Sequence, residues 1–558
     1  MRSRFWAKPL AGALSLLALA SLTTLFVHGE TVRYGFDYDD YYFLRPHAVE
    51  DVVASLHGPW DVTGVMVKFY RPLTVAFSAL RFELFGLNAV AHHTVSLTFF
   101  VLAALMTARL VRRTTGRMTG AIIATLYFVC HPAMPYSLVA WITNQMHLLQ
   151  TLVVLGAMLW WDAVRRRPLT WWIPLLVFGA ASFMIKEDGV MLLPTVVVLH
   201  EIRRRTVEPD LPRTHVAFAA MGILLVAALM MWRNYVLGEI GGYTRLSFDK
   251  AWWNVSTALN GVSRLVPADR PWQPVASWFA TLLPIAALAA WKWISPGARF
   301  CLAAGVAIAL LFSLPFVFAT KPEQVYLLAL GFSIVLTGAS LGLLDLSARA
   351  PMPQITATVA ALVIAAGLGS FAIVSRDISH DFSPFGPIVL SHDDIVRTWG
   401  FLPPELGDYL VRKREPAASS RLSSNPLDEI TVVTYNTHGR DVTPDGVPYM
   451  WMDRRRSEIH VIASTRTITI PLRHAIEAFR EPAHVRIEAD GRLVDELDLK
   501  SSEWRHSTIA LRASDVPAIS RLHRIRITID KVWRPSEVIR GSSDGRLLGL
   551  QVGTPVLK

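Results

Sequence analysis

Two cysteines in 558 residues leave no disulfide framework, and only 18% of the chain is charged. Soluble domains carry about 25% charged residues, so that shortage alone excludes an ordinary cytosolic enzyme. No internal repeat is evident, and no His/Cys/carboxylate spacing amounts to a metal site. Apolar residues fill the space: 52% are hydrophobic before the 33 glycines are counted. That is too apolar for a disordered or collagen-like chain. Cys130 and Cys301 both fall in apolar runs, where they read as small packing residues.

The net charge of +11 is unevenly placed. Up to residue 375 there are 29 basic and 19 acidic residues, against 26 and 25 from Arg376 onward. Stretches of roughly 17–25 apolar residues are long enough to cross a bilayer as helices. Eleven are expected, at 9–28, 90–110, 118–135, 139–161, 169–185, 189–202, 214–234, 274–294, 299–319, 325–345 and 354–375. The stretch 72–88 is apolar but carries Arg81 and Glu83, which suits a helix lying in the interface. Alternate loops hold 17 basic against 5 acidic residues, while the opposite loops and linkages hold 12 and 14. Positive loops stay inside. The N-terminus is therefore expected in the cytoplasm and the C-terminal part outside, in a multi-pass protein of the cytoplasmic (inner) membrane. The basic excess is an orientation signal, and no nucleic-acid partner is implied. The first span also reads as a cleavable signal peptide, which leaves every later orientation unchanged.

Residues 376–425 are rich in breakers (SPFGP, LPPE, PAASSRLSSNP) and read as a linker. From about 428 the apolar period changes to two, as in SEIHVIAS, TRTITIPLRH and HRIRITID, predicting seven or more antiparallel strands over 426–558. The expected architecture is a polytopic α-helical membrane domain (1–375) followed by an extracytoplasmic β-sandwich.

The first external loop, 29–89, is the most informative segment. It opens YGFDYDDYY, setting Asp37, Asp39 and Asp40 among aromatic residues. Such carboxylates read either as solvated charges beside a membrane or as a general base with a tuned pKa. Farther on come FYRPL (Phe69 to Leu73) and FGLNAVAHH (Phe85 to His93).

In these pieces the chain resembles the GT-C superfamily of polytopic glycosyltransferases, above all bacterial relatives of protein O-mannosyltransferases. The resemblance rests on Asp39-Asp40, Tyr70-Arg71-Pro72-Leu73, Phe85-Gly86-Leu87-Asn88 with His93, His131-Pro132, Trp141, Lys186-Glu187 with Gly189, and Glu323 with Tyr326. It covers about residues 30–345. The chain departs from the pattern at Tyr136, Gln145, Ser96 and Gln324, where many relatives carry glutamate, arginine, asparagine and arginine.

The resemblance implies transfer of a sugar from a polyprenyl-phosphate donor to an acceptor hydroxyl of a glycan, lipid or protein. It places Asp39 as the base, Asp40 as helper or metal contact, and Asp37 as substitute. A divalent cation, Mg or Mn, would sit on Asp39 and Asp40 if the reaction uses one. The donor phosphate needs cations, for which Arg71 and Lys186 stand first, then Lys321 and Arg245. The last two read equally as anchors for membrane lipid headgroups, and Lys186 as an ion-pair partner of Glu187 or Asp188. His93 and His131, like His92 and His147, suit a phosphate or sugar contact, or helix packing. Two other readings compete. A lipid-linked saccharide flippase would place its charges near the bilayer midplane; a non-catalytic scaffold would tolerate the four departures.

In the β-rich part, Trp533-Arg534-Pro535 followed by Asp544-Gly545-Arg546 and Leu548-Gly549 resembles carbohydrate-binding-like β-sandwich modules. Trp451, Trp504 and Trp533 read as core or as sugar platforms.

Overall fold

The computed structural model describes residues 3–33, 44, 47, 49–60, 69–86, 88–139, 141–213, 216–238, 273–317 and 325–381. In the C-terminal part it describes 431–435, 437–443, 448–452, 455–462, 467–475, 481–511, 522–542, 544, 547–553 and 555–557. Contacts divide the chain into two units. One holds residues 1–34, 51–77 and 91–383; the other holds 35–50, 78–90 and 384–558.

The longer helices run, in order, α1 (Ser3–His28), α2 (Val49–Ala54), α3 (Pro72–Phe85), α4 (Ala89–Thr115), α5 (Met118–Cys130), α6 (Gln145–Val164) and α7 (Ile173–Ile185). They continue with α8 (Leu192–Thr206), α9 (Val216–Leu237), α10 (Gln273–Ala289), α11 (Pro296–Ser313), α12 (Tyr326–Ser347) and α13 (Pro353–Asp381). Each of the eleven apolar segments is thus a helix, and 72–88 forms the separate helix α3. Seven helical stretches are long and apolar enough to cross a membrane: Ala11–Val32, Val90–Thr115, Ile142–Val164, Val216–Leu237, Pro296–Ser313, Tyr326–Ser347 and Pro353–Ser379. Met118–Cys130, Leu169–Ile185 and Gln273–Ala289 are apolar but shorter. The helix α8 meets neither description because its second half, HEIRRRT, is charged.

The helix α12 is buried along nearly its whole length and packs closely on α11. A Cβ on Gly305 would lie 2.5 Å from Gly331 O, and one on Gly331 would lie 2.7 Å from Gly305 O. Only glycine permits that approach, and such contacts replace the hydrophobic effect as the cohesive force between helices in lipid. The wholly buried His28 joins three helices: one ring nitrogen lies 3.0 Å from Ser379 Oγ and the other 2.9 Å from Val129 O.

In the arginine-rich loop set the carboxylates are neutralised locally. Each of its five acidic residues is paired. Asp162 accepts from Arg203 (2.6 Å) and Arg113 (3.2 Å), and Asp345 from Arg117 (2.6 Å). Glu208 meets Arg203 (2.7 Å), Arg165 (2.9 Å) and Arg166 (2.9 Å), while Asp210 meets Arg166 and Glu201 meets Arg204 and Arg205. These pairs stitch the ends of α4, α6 and α8 together.

The second unit contains two antiparallel sheets, the arrangement expected of a sandwich. One has the order β1-β4-β9-β6-β7, the other β11-β5-β10-β3-β2 with β8 also on β5. The strands are β1 (Thr431–Tyr435), β2 (Thr437–Val442), β3 (Pro448–Met452), β4 (Arg456–Ile462), β5 (Thr467–Arg473) and β6 (Ala483–Ala489). They continue with β7 (Arg492–Leu499), β8 (Arg505–Ala510), β9 (Leu522–Ile529), β10 (Gln551–Gly553) and β11 (Val556–Leu557). The two motif pieces near the C-terminus bond to each other. Trp533 and Leu548 exchange N–H···O bonds of 2.8 and 2.7 Å, and Ser536 N donates to Asp544 O at 2.8 Å. Trp533 lies buried against Trp451, so both are core residues here.

Burial pushes the Glu208 carboxyl up, but hydrogen bonds from Arg165 and Arg203 outweigh it and hold it at about 2. Its folded value lies below the ordinary one, so its contribution is present above about pH 4.5 and is lost as pH falls toward 2. Glu208→Gln leaves Arg165, Arg166 and Arg203 with only Asp162 and Asp210 between them and is expected to cost about 1–3 kcal/mol. Thermal unfolding of the purified protein in detergent checks this; an unchanged midpoint would assign the pairing no structural weight.

Candidate functional site

The Tyr70-Arg71-Pro72-Leu73 piece is a helix start. Pro72 is the first residue of α3, where its missing N–H costs nothing. Thr74 Oγ1 donates to Ile185 O at 2.7 Å, fixing that start to the end of α7. Arg71 is buried: its Nε donates to Glu187 Oε2 at 3.0 Å, and its guanidinium carbon lies 3.9 Å from the Phe69 ring centre and 4.8 Å from that of Trp60. The planar guanidinium is thereby held on two aromatic rings and one carboxylate.

The Lys-Glu-x-Gly piece is a helix break. After α7 ends, Lys186 is extended (φ −158°, ψ 145°) and a short turn covers Glu187–Met191 before α8. Gly189 is required there because a Cβ would lie 2.3 Å from the Ser182 carbonyl carbon. The break aims three charged side chains in succession. Lys186 Nζ is 3.4 Å from Asp188 Oδ2 and 4.8 Å from the Tyr326 ring centre. Asp188 accepts from Gln150 Nε2 (2.8 Å) and from Tyr326 Oη (3.1 Å), and Tyr326 also donates to Gln150 Oε1. His147 stacks on Tyr326 at 4.4 Å with an interplanar angle of 10°. From α9, Arg233 approaches Glu187 Oε1 at 3.9 Å.

Among the described residues, five ionisable side chains therefore gather at one end of the helices: Arg71, Lys186 and Arg233 with Glu187 and Asp188. Fully ionised, they carry one positive charge more than they neutralise. Burial pulls the Lys186 ammonium below its ordinary value, and Asp188 opposes that pull. The Lys186 ammonium is held by the ion pair with Asp188.

Of the residues singled out from sequence, Arg71 and Lys186 come together. His131 has a different setting: its Nδ1 accepts from Ala133 N at 3.2 Å, and its ring stacks on Phe371 and meets Phe332 edge-on. His93 is wholly buried in α4. Asp37, Asp39, Asp40, Arg245 and Lys321 lie outside the described residues. Two departures from the family pattern touch: Gln145 Nε2 donates to His92 O (2.6 Å) and to Ser96 Oγ. Arg233 and Gln150 were not anticipated. Arg233 is the one charged residue in the apolar helix α9, a signal that intramembrane charge is functional. Among the described residues no group of three His, Cys, Asp or Glu side chains is placed to hold a metal.

The segment with this geometry is also the one with relatives. Residues 71–232 match the family model of dolichyl-phosphate-mannose-protein mannosyltransferases. The match begins at Arg71, takes in the Lys186–Gly189 break and stops one residue short of Arg233. It agrees with the resemblance read from the motifs. No curated protein matches the chain. The solved structure of the arabinosyltransferase EmbB from Mycobacterium smegmatis aligns at 12% identity and a TM-score of 0.36, covering 97% of this chain and 64% of that one. The chain thus spans less than two thirds of that protein's length.

If Gly189 is required by contact, Gly189→Ala should destabilise by about 1–3 kcal/mol, as overpacking does. Gly369→Ala, with open space around its Cβ position in α13, should not. Paired thermal melts distinguish them, and equal midpoints would refute the contact argument.

Proposed function

We propose that the chain is a membrane glycosyltransferase that moves a sugar from a polyprenyl-phosphate donor to an acceptor hydroxyl, with the carrier phosphate seated at Arg71, Lys186 and Arg233. The observation that carries this reading is the gathering of Arg71, Lys186 and Arg233 around Glu187 and Asp188, inside and bordering the segment that matches the mannosyltransferase family. A phosphate dianion in a partly dry site needs cations already held in place, since reorganising them during reaction costs free energy. The aromatic faces under Arg71 and the ion pairs at Glu187 and Asp188 hold them.

The acceptor oxygen attacks the anomeric carbon as the bond from that carbon to the carrier phosphate oxygen breaks. The electron pair leaves on the phosphate, where the cations stabilise it, and the acceptor proton passes to Asp39. Attack opposite the leaving group inverts the anomeric centre. Asp40 assists, Asp37 stands in reserve, and His93, Lys321 and Arg245 are further donor contacts. A divalent cation would be held at Asp39 and Asp40. The reaction belongs on the extracytoplasmic face of the inner membrane, a reading supported by the bias of basic residues among the loops of the sequence. The cluster stands at the ends of α6, α7 and α12 rather than mid-helix, which favours this reading over a flippase.

The test is transfer from a radiolabelled polyprenyl-phosphate sugar by the protein in nanodiscs. Arg71→Ala should lower kcat/KM by roughly 10²–10³, the usual loss on removing one charge-stabilising donor. Arg71→Lys should recover part of it. Asp39→Asn should lower kcat by about 10²–10⁴. Near-wild-type transfer by Asp39→Asn would remove it as the base, and unchanged kcat/KM in Arg71→Ala would remove the phosphate seat.

A further inference from the structure

Two cations of the cradle are held in different ways. Arg71 is fixed: its Nε donates to Glu187 at 3.0 Å, and its guanidinium lies on the Phe69 and Trp60 rings. Lys186 is pinned firmly by its backbone and loosely by its side chain. Its N–H donates to Ser182 O at 3.1 Å, and its carbonyl accepts from Gly189 N at 3.0 Å and from Gln150 Nε2 at 3.3 Å. Its ammonium meets Asp188 Oδ2 at 3.4 Å, about half an ångström longer than a charge-assisted hydrogen bond. The Tyr326 ring, centred 4.8 Å away, is a second and softer partner. All of these residues belong to the first unit of the chain.

Asp188 has closer partners than the ammonium. Gln150 Nε2 donates to its Oδ1 at 2.8 Å, and Tyr326 Oη lies 3.1 Å from its Oδ2. The phenol has one proton and two acceptors, because Gln150 Oε1 also receives it. When the ammonium leaves, that proton is free to turn wholly to Oδ2, and the carboxylate keeps a donor on each oxygen. A buried carboxylate stripped of donors is costly, so this reserve lowers the cost of releasing Lys186. His147, stacked on Tyr326 at 4.4 Å, keeps the phenol ring in place.

We propose that Asp188 is the resting counter-ion of Lys186: it holds the ammonium until a phosphate arrives and then releases it, while Gln150 and Tyr326 satisfy the carboxylate. Asp188 is thus a positioning residue that acts through Lys186 and tunes affinity for the donor phosphate by competing with it. No proton changes owner, since the ammonium and the phenol keep theirs. Arg71 is the fixed half of the phosphate seat and Lys186 the movable half. The inference deepens the function proposed above and rests on its reading of the cradle as a phosphate seat.

The experiment measures binding of a polyprenyl monophosphate to the full chain in nanodiscs by titration calorimetry, with a thermal melt of each variant. Asp188→Asn removes the competing charge and should tighten binding roughly tenfold, while lowering the melting midpoint because the helix ends lose a tie. Tyr326→Phe and Gln150→Met change no charge, yet each should weaken binding roughly threefold, because Asp188 then holds Lys186 more firmly. In the Asp188→Asn background the Tyr326→Phe effect should vanish, whereas a direct contact between phenol and phosphate would persist. Equal or weaker binding by a folded Asp188→Asn overturns the proposal, since a merely structural carboxylate loses affinity along with stability. A persistent Tyr326→Phe effect in that background overturns it too. So does unchanged affinity in both Tyr326→Phe and Gln150→Met, a result that decides even where Asp188→Asn fails to fold. A wild type that binds no polyprenyl phosphate overturns the phosphate seat and the handover together. One that binds, with Asp188→Asn no tighter, overturns the handover and leaves the seat standing.

Discussion

Asp188 is the group on which the rest of the site depends. Its two oxygens take Gln150 from α6, Tyr326 from the start of α12 and Lys186 from the break after α7. A carboxylate removed from water is costly unless each lone pair is used, and here a neutral amide, a phenol and an ammonium share it. Because these partners come from separate helices, satisfying one buried charge also sets the spacing of three helix ends. Tyr326 gains a further constraint from His147, stacked flat against it. The cradle is therefore built from the carboxylate outward: Asp188 orders the turn, the turn places Glu187, and Glu187 takes hold of Arg71.

The two ends of the helical unit solve opposite electrostatic problems. At the arginine-rich end, every acidic residue in the loop set is paired, several by more than one guanidinium, and the pairs tie helix ends together. Those arginines are surplus in number; Arg166 and Arg205 are exposed, where screening makes excess charge tolerable, while Arg203 is buried and spends its guanidinium on Asp162 and Glu208. At the other end, Arg71, Lys186 and Arg233 are each no more than 5% exposed. Charge in such a place is expensive unless it is paired, and here Glu187 and Asp188 meet it.

The helices were legible in the sequence because lipid imposes a one-dimensional signal: an apolar run of sufficient length. The expected span at 189–202 was short and contained Pro194, and its helix is among those that do not qualify as a span by length and composition. In the β unit, strands with one buried and one exposed face were readable, such as Thr467–Arg473 with its strict alternation of burial. The strands at Thr437–Val442, Pro448–Met452 and Arg492–Leu499 were not. The first and last are edge strands, Arg492–Leu499 being mostly exposed, and the short PYMWM strand is interior and apolar without alternation. Arg71 and Lys186 were legible from motif position, yet nothing local tells that Gln150, 38 residues before Asp188, receives it as a partner. Gly189 was part of a pattern, but its reason is a backbone contact with Ser182 that only the folded chain contains.

The departures from the family pattern acquire a physical meaning through charge counting. Where relatives place an arginine on the helix after His-Pro, this chain has Gln145, and where they place an asparagine, Ser96. Gln145 is engaged with Ser96 and the His92 carbonyl, so it holds α6 to α4 without contributing charge. Arg233 brings a guanidinium from a different helix, α9, to the same Glu187 that orients Arg71.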